Sequence, residues 1–201
     1  LERQVKFTPQ ELASVASGLA AMGKIPFITS YAMFSPGRNW EQIRTTICYN
    51  EQSVKIIGSH AGVSVGPDGA THQAIEDIAI TRVIANMSVF APCDVWEGKR
   101  VTRAIGKTEG PCYARFSREK SAIITTEETP FEVGKAYCYW TEPKRTKPQV
   151  AIIACGPLLY RAVVAADQLE QQGVKVRVIN NVSIKPMDEE TILKAAGDAG
   201  A

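Results

Sequence analysis

Apolar residues recur along the chain in blocks whose spacing predicts helices and strands. Four apolar residues fall on one face of a predicted helix over residues 10–22, and Gly23 is a typical residue to end it. Short apolar runs predict strands at residues 24–29, 54–57, 87–91, 112–116, 150–154 and 174–179. Because helical patterns separate most of these runs, the chain predicts an α/β fold with a parallel sheet.

A polar segment with several prolines, Glu127–Pro148, divides this pattern into two parts. We expect residues 1–148 to form one domain with a linker at its end, the most linker-like part being residues 141–149. Residues 149–201 are then the first part of a second α/β domain. That part reads as strand, helix and strand, with a further helix beginning near Asp188.

Composition narrows the class of protein. The 201 residues are 45% apolar and carry a formal net charge of +2, which suits globular domains and does not suggest nucleic-acid binding. The basic run at residues 144–147 is interpreted as a solvated linker. No apolar segment could span a bilayer, and LERQVKF is not a signal peptide, so we expect a cytoplasmic protein without a membrane partner. The five scattered cysteines are expected to be buried, reduced thiols.

The glycine-rich segment Gly58–Glu76 concentrates groups that could carry chemistry. It holds both histidines of the chain, His60 and His72, together with Asp68. A predicted strand leads into it and a helical pattern leaves it, which favours a loop at the carboxyl edge of a sheet. We expect Thr71 to cap that helix and His72 to lie in its first turn. The residues alone leave two readings open, namely proton transfer on a substrate or structural histidines beside a turn.

The stretch from Ser59 to Glu97 resembles the transketolase signature in the pyrimidine-binding domain of thiamine-diphosphate enzymes. The resemblance is carried by H-x7-D-x3-H-Q, followed by E-D-I-A, R, N-M, P-x-D and E in order. Residues 149–201 resemble the opening of the family's C-terminal domain. Compared with that family, the chain looks truncated at both ends and lacks the domain that binds the diphosphate and the metal. The resemblance therefore implies the carboxyl-side subunit of a split transketolase.

The resemblance also implies roles for individual residues. His60 and His72 would be catalytic, forming hydrogen bonds to substrate oxygens and transferring protons. Asp68 would recognise a substrate hydroxyl. Arg118, in Ser-Arg-Glu, would hold the phosphate of the sugar, and a planar guanidinium suits phosphate oxygens.

Cofactor residues follow in the same way. Tyr31 and Phe34 match positions whose aromatic rings hold the aminopyrimidine of thiamine diphosphate, while Gly37 stands where many members have a third aromatic ring. The family's activating glutamate, in a motif resembling G-[IV]-[AS]-E-Q-N-M, aligns with Pro9, which has no proton to exchange. Glu11 is the nearest carboxylate. Either Glu11 substitutes through a local shift, or the preceding residues are not the natural ones, or the chain is not competent.

The function implied is thiamine-diphosphate-dependent transfer of a two-carbon ketol unit between sugar phosphates, as in the pentose phosphate pathway. A partner, the N-terminal-side subunit, would supply the diphosphate-binding domain and hold Mg²⁺, so no metal ligand is expected in this chain. Homodimerisation of the pyrimidine domain would build a heterotetramer. Two alternatives remain: an enzyme like deoxyxylulose-phosphate synthase, and a non-catalytic truncated paralogue that only binds partner or cofactor.

Overall fold

A computed structural model of the chain describes residues 7–141 and 146–200. These residues divide into two compact units. The first comprises the residues up to Val89 together with Ile105–Lys120, and the second comprises Phe90–Ala104 and the residues from Ser121 onward. The predicted domain boundary near residue 148 stays a prediction.

Up to residue 120 the elements alternate between helix and strand. They are helix α1 (Pro9–Ala21), strand β1 (Phe27–Tyr31), helix α2 (Trp40–Gln42), strand β2 (Lys55–Ser59), helix α3 (Asp77–Arg82), strand β3 (Ser88–Phe90), helix α4 (Val95–Ile105) and strand β4 (Cys112–Arg115). Wider π-helical turns flank α2 at Met33–Arg38 and Ile43–Cys48. Two 3₁₀ turns, Val63–Asp68 and Ala70–His72, lie between β2 and α3.

Strands β1, β2 and β4 lie side by side and run parallel. Their register pairs Tyr31 with Ser59, and Gly58 with Arg115, so the three strands end at the same edge. Ile56 and Tyr113 at the middle of the sheet are fully buried, as expected for strands covered on both faces. This arrangement brings the segments that follow all three strands to one edge.

Helix α1 shows why the chain turns helical at its predicted start. Thr8 caps the helix and Glu11 completes a capping box, with Pro9 in the first turn, where its missing N–H costs nothing. At the other end Gly23 adopts a φ of +76°, which favours glycine. The helix predicted over residues 10–22 is therefore confirmed.

The second unit contains its own small sheet. Its remaining elements are β5 (Tyr137–Trp140), β6 (Val150–Ala154), α5 (Leu158–Gln171), β7 (Val176–Asn180), β8 (Ser183–Lys185) and α6 (Glu189–Asp198). Strands β6 and β7 are parallel, and β5 adds to β7 in the antiparallel sense. Helix α5 buries Leu159, Ala162 and Ala166 against Val176 and Val178. The α/β fold class with a parallel sheet is confirmed.

Two local expectations are corrected, and a third falls partly outside the described residues. Glu127–Pro148 is not linker throughout, because Tyr137–Trp140 forms β5. The centre of its most linker-like part, residues 142–145, lies outside the described residues, as does half of the basic run at 144–147. No helix begins at Thr71, since Gly69 has a φ of +79° and a 3₁₀ turn follows, so α3 begins only at Asp77.

The burial of the cysteines and the character of the helices test two further expectations. Among the described residues, the five cysteines are reduced thiols, and Cys48, Cys93 and Cys112 are buried as expected. The expectation of burial is wrong for Cys138, which is exposed. Among the described residues, no helix has both the length and the apolar character needed to cross a membrane.

Candidate active site

The edge at which β1, β2 and β4 end collects most of the side chains singled out in the sequence. Tyr31 is the last residue of β1 and Phe34 lies three residues beyond it. His60 directly follows β2, and Arg118 lies three residues beyond β4. Ligands of parallel sheets bind at this edge, because the loops that follow the strands converge there.

Four rings meet at this edge. His60 stacks on Tyr31 with ring centroids 3.9 Å apart and planes at 9°. His72 presents an edge-on contact to Phe34 at 5.3 Å and to Tyr31 at 6.2 Å. Tyr31 and Phe34 are themselves 6.3 Å apart. The structure thus brings both histidines to the two predicted cofactor-binding aromatics, and we call these four residues the ring cluster.

Both histidines are fixed in the same manner. Nδ1 of His60 shares a 3.0 Å hydrogen bond with Ser59 Oγ, and Nδ1 of His72 shares one of 3.0 Å with Thr71 Oγ1. Within the described part of the chain, those are the hydrogen bonds of the two rings. A hydroxyl can donate or accept, so it can follow a change of tautomer at Nδ1. The Nε2 atoms are therefore the ring nitrogens that can serve a ligand.

Asp68 and Arg118 are also brought together, across 50 residues of sequence. Arg118 Nη1 lies 3.5 Å from Asp68 Oδ1, and the side chains are 37% and 30% exposed. The same Nη1 donates a 2.7 Å hydrogen bond to the carbonyl oxygen of Val65. The ion pair is long and open to solvent, so its guanidinium remains accessible to an anionic group.

A cleft of about 480 Å³ opens beside Phe34 within the first unit, a size that suits a small organic ligand. The Arg38 guanidinium lies 4.8 Å from the centre of the Phe34 ring. A Cβ on Gly37 would come within 3.3 Å of the Ala32 carbonyl oxygen. A third aromatic ring at position 37 would thus crowd the backbone, and the cleft is lined by other side chains. Its lining is Met33, Phe34, Gly37, Arg38, Trp40, Thr71, Glu76 and Ile80.

Glu11 is engaged elsewhere. Its Oε2 accepts hydrogen bonds of 2.8 Å from both the N–H and the hydroxyl of Thr8. These hydrogen bonds lower the pKa of the Glu11 carboxyl, although the side chain is exposed. Pro9, at the position of the family's glutamate, offers only its carbonyl oxygen, which accepts a 2.9 Å hydrogen bond from Asn39. The contacts of Glu11 thus tie it to the helix cap rather than to the ring cluster.

A second charged group at this edge was missed by the sequence reasoning. Asp77 is 2% exposed and accepts hydrogen bonds from Arg115 Nε, at 2.9 and 3.2 Å, and from Tyr113 Oη, at 2.7 Å. Burial, and then the charge of Asp77, raise the pKa of Tyr113 well above its ordinary value. The sequence signals were Asp77 itself, which lies in the E-D-I-A part of the signature but was given no role, and Arg115, a charged residue that ends a buried apolar strand.

Comparison with known proteins now decides the family. The model of the transketolase pyrimidine-binding domain matches residues 9–122, and the model of the transketolase C-terminal domain matches residues 140–201. The chain belongs to the transketolase family. The family predicted from the signature is thereby confirmed.

Relatives within the family include proteins encoded as separate sections. A putative transketolase C-terminal section of Methanocaldococcus jannaschii is 42% identical over 92% of this chain and 58% of that protein. The 6-deoxy-6-sulfo-D-fructose transketolase subunit SqwH of Clostridium sp. (strain MSTE9) is 36% identical over 94% of this chain and 58% of its own length. Human transketolase is 34% identical, and the match spans 29% of it. The chain therefore corresponds to little more than half of even the shorter transketolase relatives.

Solved structures agree with this assignment. A split-gene transketolase, described as an inactive beta4 tetramer, superposes with a TM-score of 0.87 at 37% identity, over 97% of this chain and 61% of that one. The transketolase of Campylobacter jejuni superposes with a TM-score of 0.77 at 23% identity, over 90% of this chain and 28% of that one, and shares the fold. The chain is thus similar in sequence and structure to subunits of split transketolases.

Proposed function

We propose that the chain is one subunit of a thiamine-diphosphate-dependent transketolase that moves a two-carbon ketol unit between sugar phosphates, as in the pentose phosphate pathway. The observation that carries the proposal is the ring cluster, in which His60 and His72 meet Tyr31 and Phe34 at the edge where parallel strands end. The similarity to a protein named as a transketolase subunit adds support.

The two histidines would exchange protons with the oxygens of the substrate. With Nδ1 bonded to Ser59 Oγ or Thr71 Oγ1, each ring is oriented and its Nε2 can donate or accept a proton. Stacking on Tyr31 further limits rotation of the His60 ring. Both catalytic groups are therefore held in place before a substrate arrives, which lowers the entropic part of the barrier.

The open pair, Asp68–Arg118, would bind the rest of the sugar phosphate. Asp68 would accept a hydrogen bond from a substrate hydroxyl, and Arg118 would grip the distal phosphate in a bidentate fork. Exposure of both side chains supports this role, because an ion pair open to solvent is weak and can give way to a ligand at little cost.

Tyr31 and Phe34 would hold the aminopyrimidine of the cofactor, and the cleft beside Phe34 has room for a small ring. When bound, thiamine diphosphate would supply the carbon chemistry of the two-carbon transfer. An N-terminal-side partner subunit would hold the diphosphate and Mg²⁺. We further propose that the pyrimidine-binding domains pair as a homodimer in a cytoplasmic hetero-oligomer. A similar chain is described as a tetramer.

Glu11 is the candidate to stand in for the glutamate that the family has at the position of Pro9. To do so its carboxylate must leave Thr8, which donates both of its hydrogen bonds. The alternative that Pro9 favours is a non-catalytic paralogue that binds partner or cofactor without turnover.

The test is ketol transfer from xylulose 5-phosphate to ribose 5-phosphate, with thiamine diphosphate, Mg²⁺ and the N-terminal-side subunit present. We expect the parent to be active and His72→Ala to lose at least about 100-fold in kcat, as removal of a general acid or base does. Leu193→Ala, at a 69% exposed position of α6, is the control and should keep parental activity.

Each outcome separates the candidates. No transfer by the parent, with the partner shown to be bound, contradicts the proposal and supports the non-catalytic paralogue. Turnover of pyruvate with glyceraldehyde 3-phosphate instead would indicate the deoxyxylulose-phosphate-synthase type. Loss of activity in Glu11→Gln would identify Glu11 as the carboxylate that replaces the family's glutamate. Full activity would show that Glu11 serves only to cap the helix.

A further inference from the structure

A buried carboxylate joins helix α3 to strand β4 at the edge of the candidate site. Asp77, the first residue of α3, accepts hydrogen bonds from Arg115 Nε and from Tyr113 Oη, and those two donors both belong to β4. Hydrogen bonds that involve an ionised partner are roughly twice as strong as neutral ones, and these are shielded from water. The start of α3 is therefore fixed to the sheet.

The two donors also pack against the start of the glycine-rich segment Gly58–Glu76, which we call the signature loop. A Cβ on Gly58 would lie 2.4 Å from Tyr113 Oη, and a Cβ on Gly62 would lie 3.0 Å from Arg115 Nη2. Phe116 follows Arg115 directly, and its backbone N–H donates a 2.8 Å hydrogen bond to the carbonyl oxygen of Gly58. The chain around His60 thus lies directly on Tyr113 and Arg115.

The end of the loop closes on its start. The Gly62 N–H donates a 2.8 Å hydrogen bond to the carbonyl oxygen of Ala74, and Ala61 bridges to Ala74. Ala74 lies two residues after His72 and three residues before Asp77. The Asp77–Arg115 ion pair and Tyr113 therefore lie against the first residues of the loop and fix Asp77, the residue just after it.

We propose that Arg115 and Asp77 are positioning residues, which hold both ends of the loop and thereby keep His60 on Tyr31 and His72 against Phe34. Arg115 acts through Gly62 and Asp77. The importance of the pair for turnover rests on the proposed function, while its effect on the histidines does not. Lysine at position 115 would keep the charge but lose the Nε donor and the planar fork, so it should not substitute.

The histidine signals offer a direct readout. The chain contains two histidines, so ¹³Cε1 labelling of histidine in the full-length chain gives one NMR resonance for each. We expect Arg115→Lys and Asp77→Asn to shift the His60 resonance by more than its line width, because His60 leaves the shielding face of Tyr31. Arg177→Lys, which alters the 2.8 Å pair with Asp198 in the second unit, is the matched control and should leave both resonances in place.

Kinetics in the complex with the N-terminal-side subunit provide the second readout. We expect Arg115→Lys to lower kcat by about 10- to 100-fold while the KM for the sugar phosphate changes little, since the groups that bind substrate are still present. A purely structural role would lower the amount of folded protein and leave kcat per folded site unchanged.

The outcomes are distinct. Unmoved histidine resonances in folded Arg115→Lys would overturn the proposal, and so would moved resonances with an unchanged kcat in an active parent. Should Asp77→Asn fail to fold, Arg115→Lys decides, because Arg115 is 22% exposed and lysine keeps its charge. If the resonances move in Arg115→Lys but the parent shows no ketol transfer, the result supports the positioning role and contradicts the proposed function.

Discussion

Two arginines close together in sequence, Arg115 and Arg118, each pair with an aspartate, but the first pair is largely buried and the second is exposed to solvent. Arg115 Nε lies 2.9 Å from Asp77 Oδ2, and the Asp77 side chain is 2% exposed. Arg118 Nη1 lies 3.5 Å from Asp68 Oδ1, with both side chains about one third exposed (37% and 30%). Only the first aspartate also accepts a hydrogen bond from a buried tyrosine, Tyr113, among the described residues.

Solvent access decides what each pair can do. Removal of one partner from the Asp77–Arg115 pair leaves a largely buried group without its counter-charge, which costs several kcal/mol. The Asp68–Arg118 pair contributes about 0–1 kcal/mol to stability, as exposed pairs do, so its guanidinium can change partner readily. The buried pair therefore suits positioning, and the open pair suits binding.

The largest effect should come from Asp77→Asn. We expect it to lower the free energy of unfolding by about 3 kcal/mol, the lower end for a broken buried pair, because Arg115 keeps some solvent contact. Urea unfolding followed by circular dichroism measures this. The matched change in the open pair, Asp68→Asn, should alter the free energy of unfolding by less than about 0.5 kcal/mol. Equal losses in the two variants would contradict the comparison.

A somewhat smaller effect is expected from Gly58→Ala. This change leaves all charges in place and tests by steric hindrance alone whether the surroundings of the buried pair are rigid. The added methyl group would meet the Tyr113 ring at 2.4 to 2.8 Å, so we expect a loss of about 2 kcal/mol from overpacking. Gly18→Ala is the control, since a Cβ there meets nothing within 4 Å and α1 is a helix. That variant should gain up to about 1 kcal/mol. Thermal denaturation of both variants gives the result, and a neutral Gly58→Ala would show that Tyr113 can move aside.

The smallest effect concerns Glu11, a carboxylate exposed to solvent as the open pair is. Its hydrogen bonds from Thr8 place its pKa below the ordinary value of 4.5, so ionised Glu11 stabilises the folded state above that pH. This stabilisation is lost as the pH falls through the lowered pKa. We expect Glu11→Gln to lower the melting temperature slightly at pH 7 and by less at pH 3. An effect at pH 3 as large as that at pH 7 would show that the capping box does not depend on the charge.

The regular elements were accessible from sequence because local periodicity determines them. The run Val150–Ala154 is continuously apolar and forms β6, and the apolar stripe that follows forms α5. The start of α3 was not accessible, because two glycines with positive φ, Gly66 and Gly69, direct the chain through 3₁₀ turns first. Strand β5 was missed because its four residues are mostly half-buried and lie among prolines.

The candidate site divides in the same way. The family signature pointed to the ring cluster and the open pair, whose members lie on loops that converge at one sheet edge. The Asp77–Arg115 pair joins residues 38 positions apart, and no local spacing encodes such a contact. Closeness in sequence did not predict the role of Glu11. It lies two residues from Pro9, the expected position of the glutamate, but its contacts with Thr8 cap a helix.

The most direct test compares Arg115→Lys with Arg118→Lys in the complex, using ribose 5-phosphate and unphosphorylated ribose as acceptors. We expect Arg118→Lys to raise the KM for ribose 5-phosphate about 10-fold, equivalent to about 1.4 kcal/mol, and to leave the KM for ribose unchanged. Arg115→Lys should lower kcat with both acceptors alike. A phosphate-dependent defect in Arg115→Lys, or the same defect in both variants, would contradict the assignment of one arginine to positioning and the other to binding.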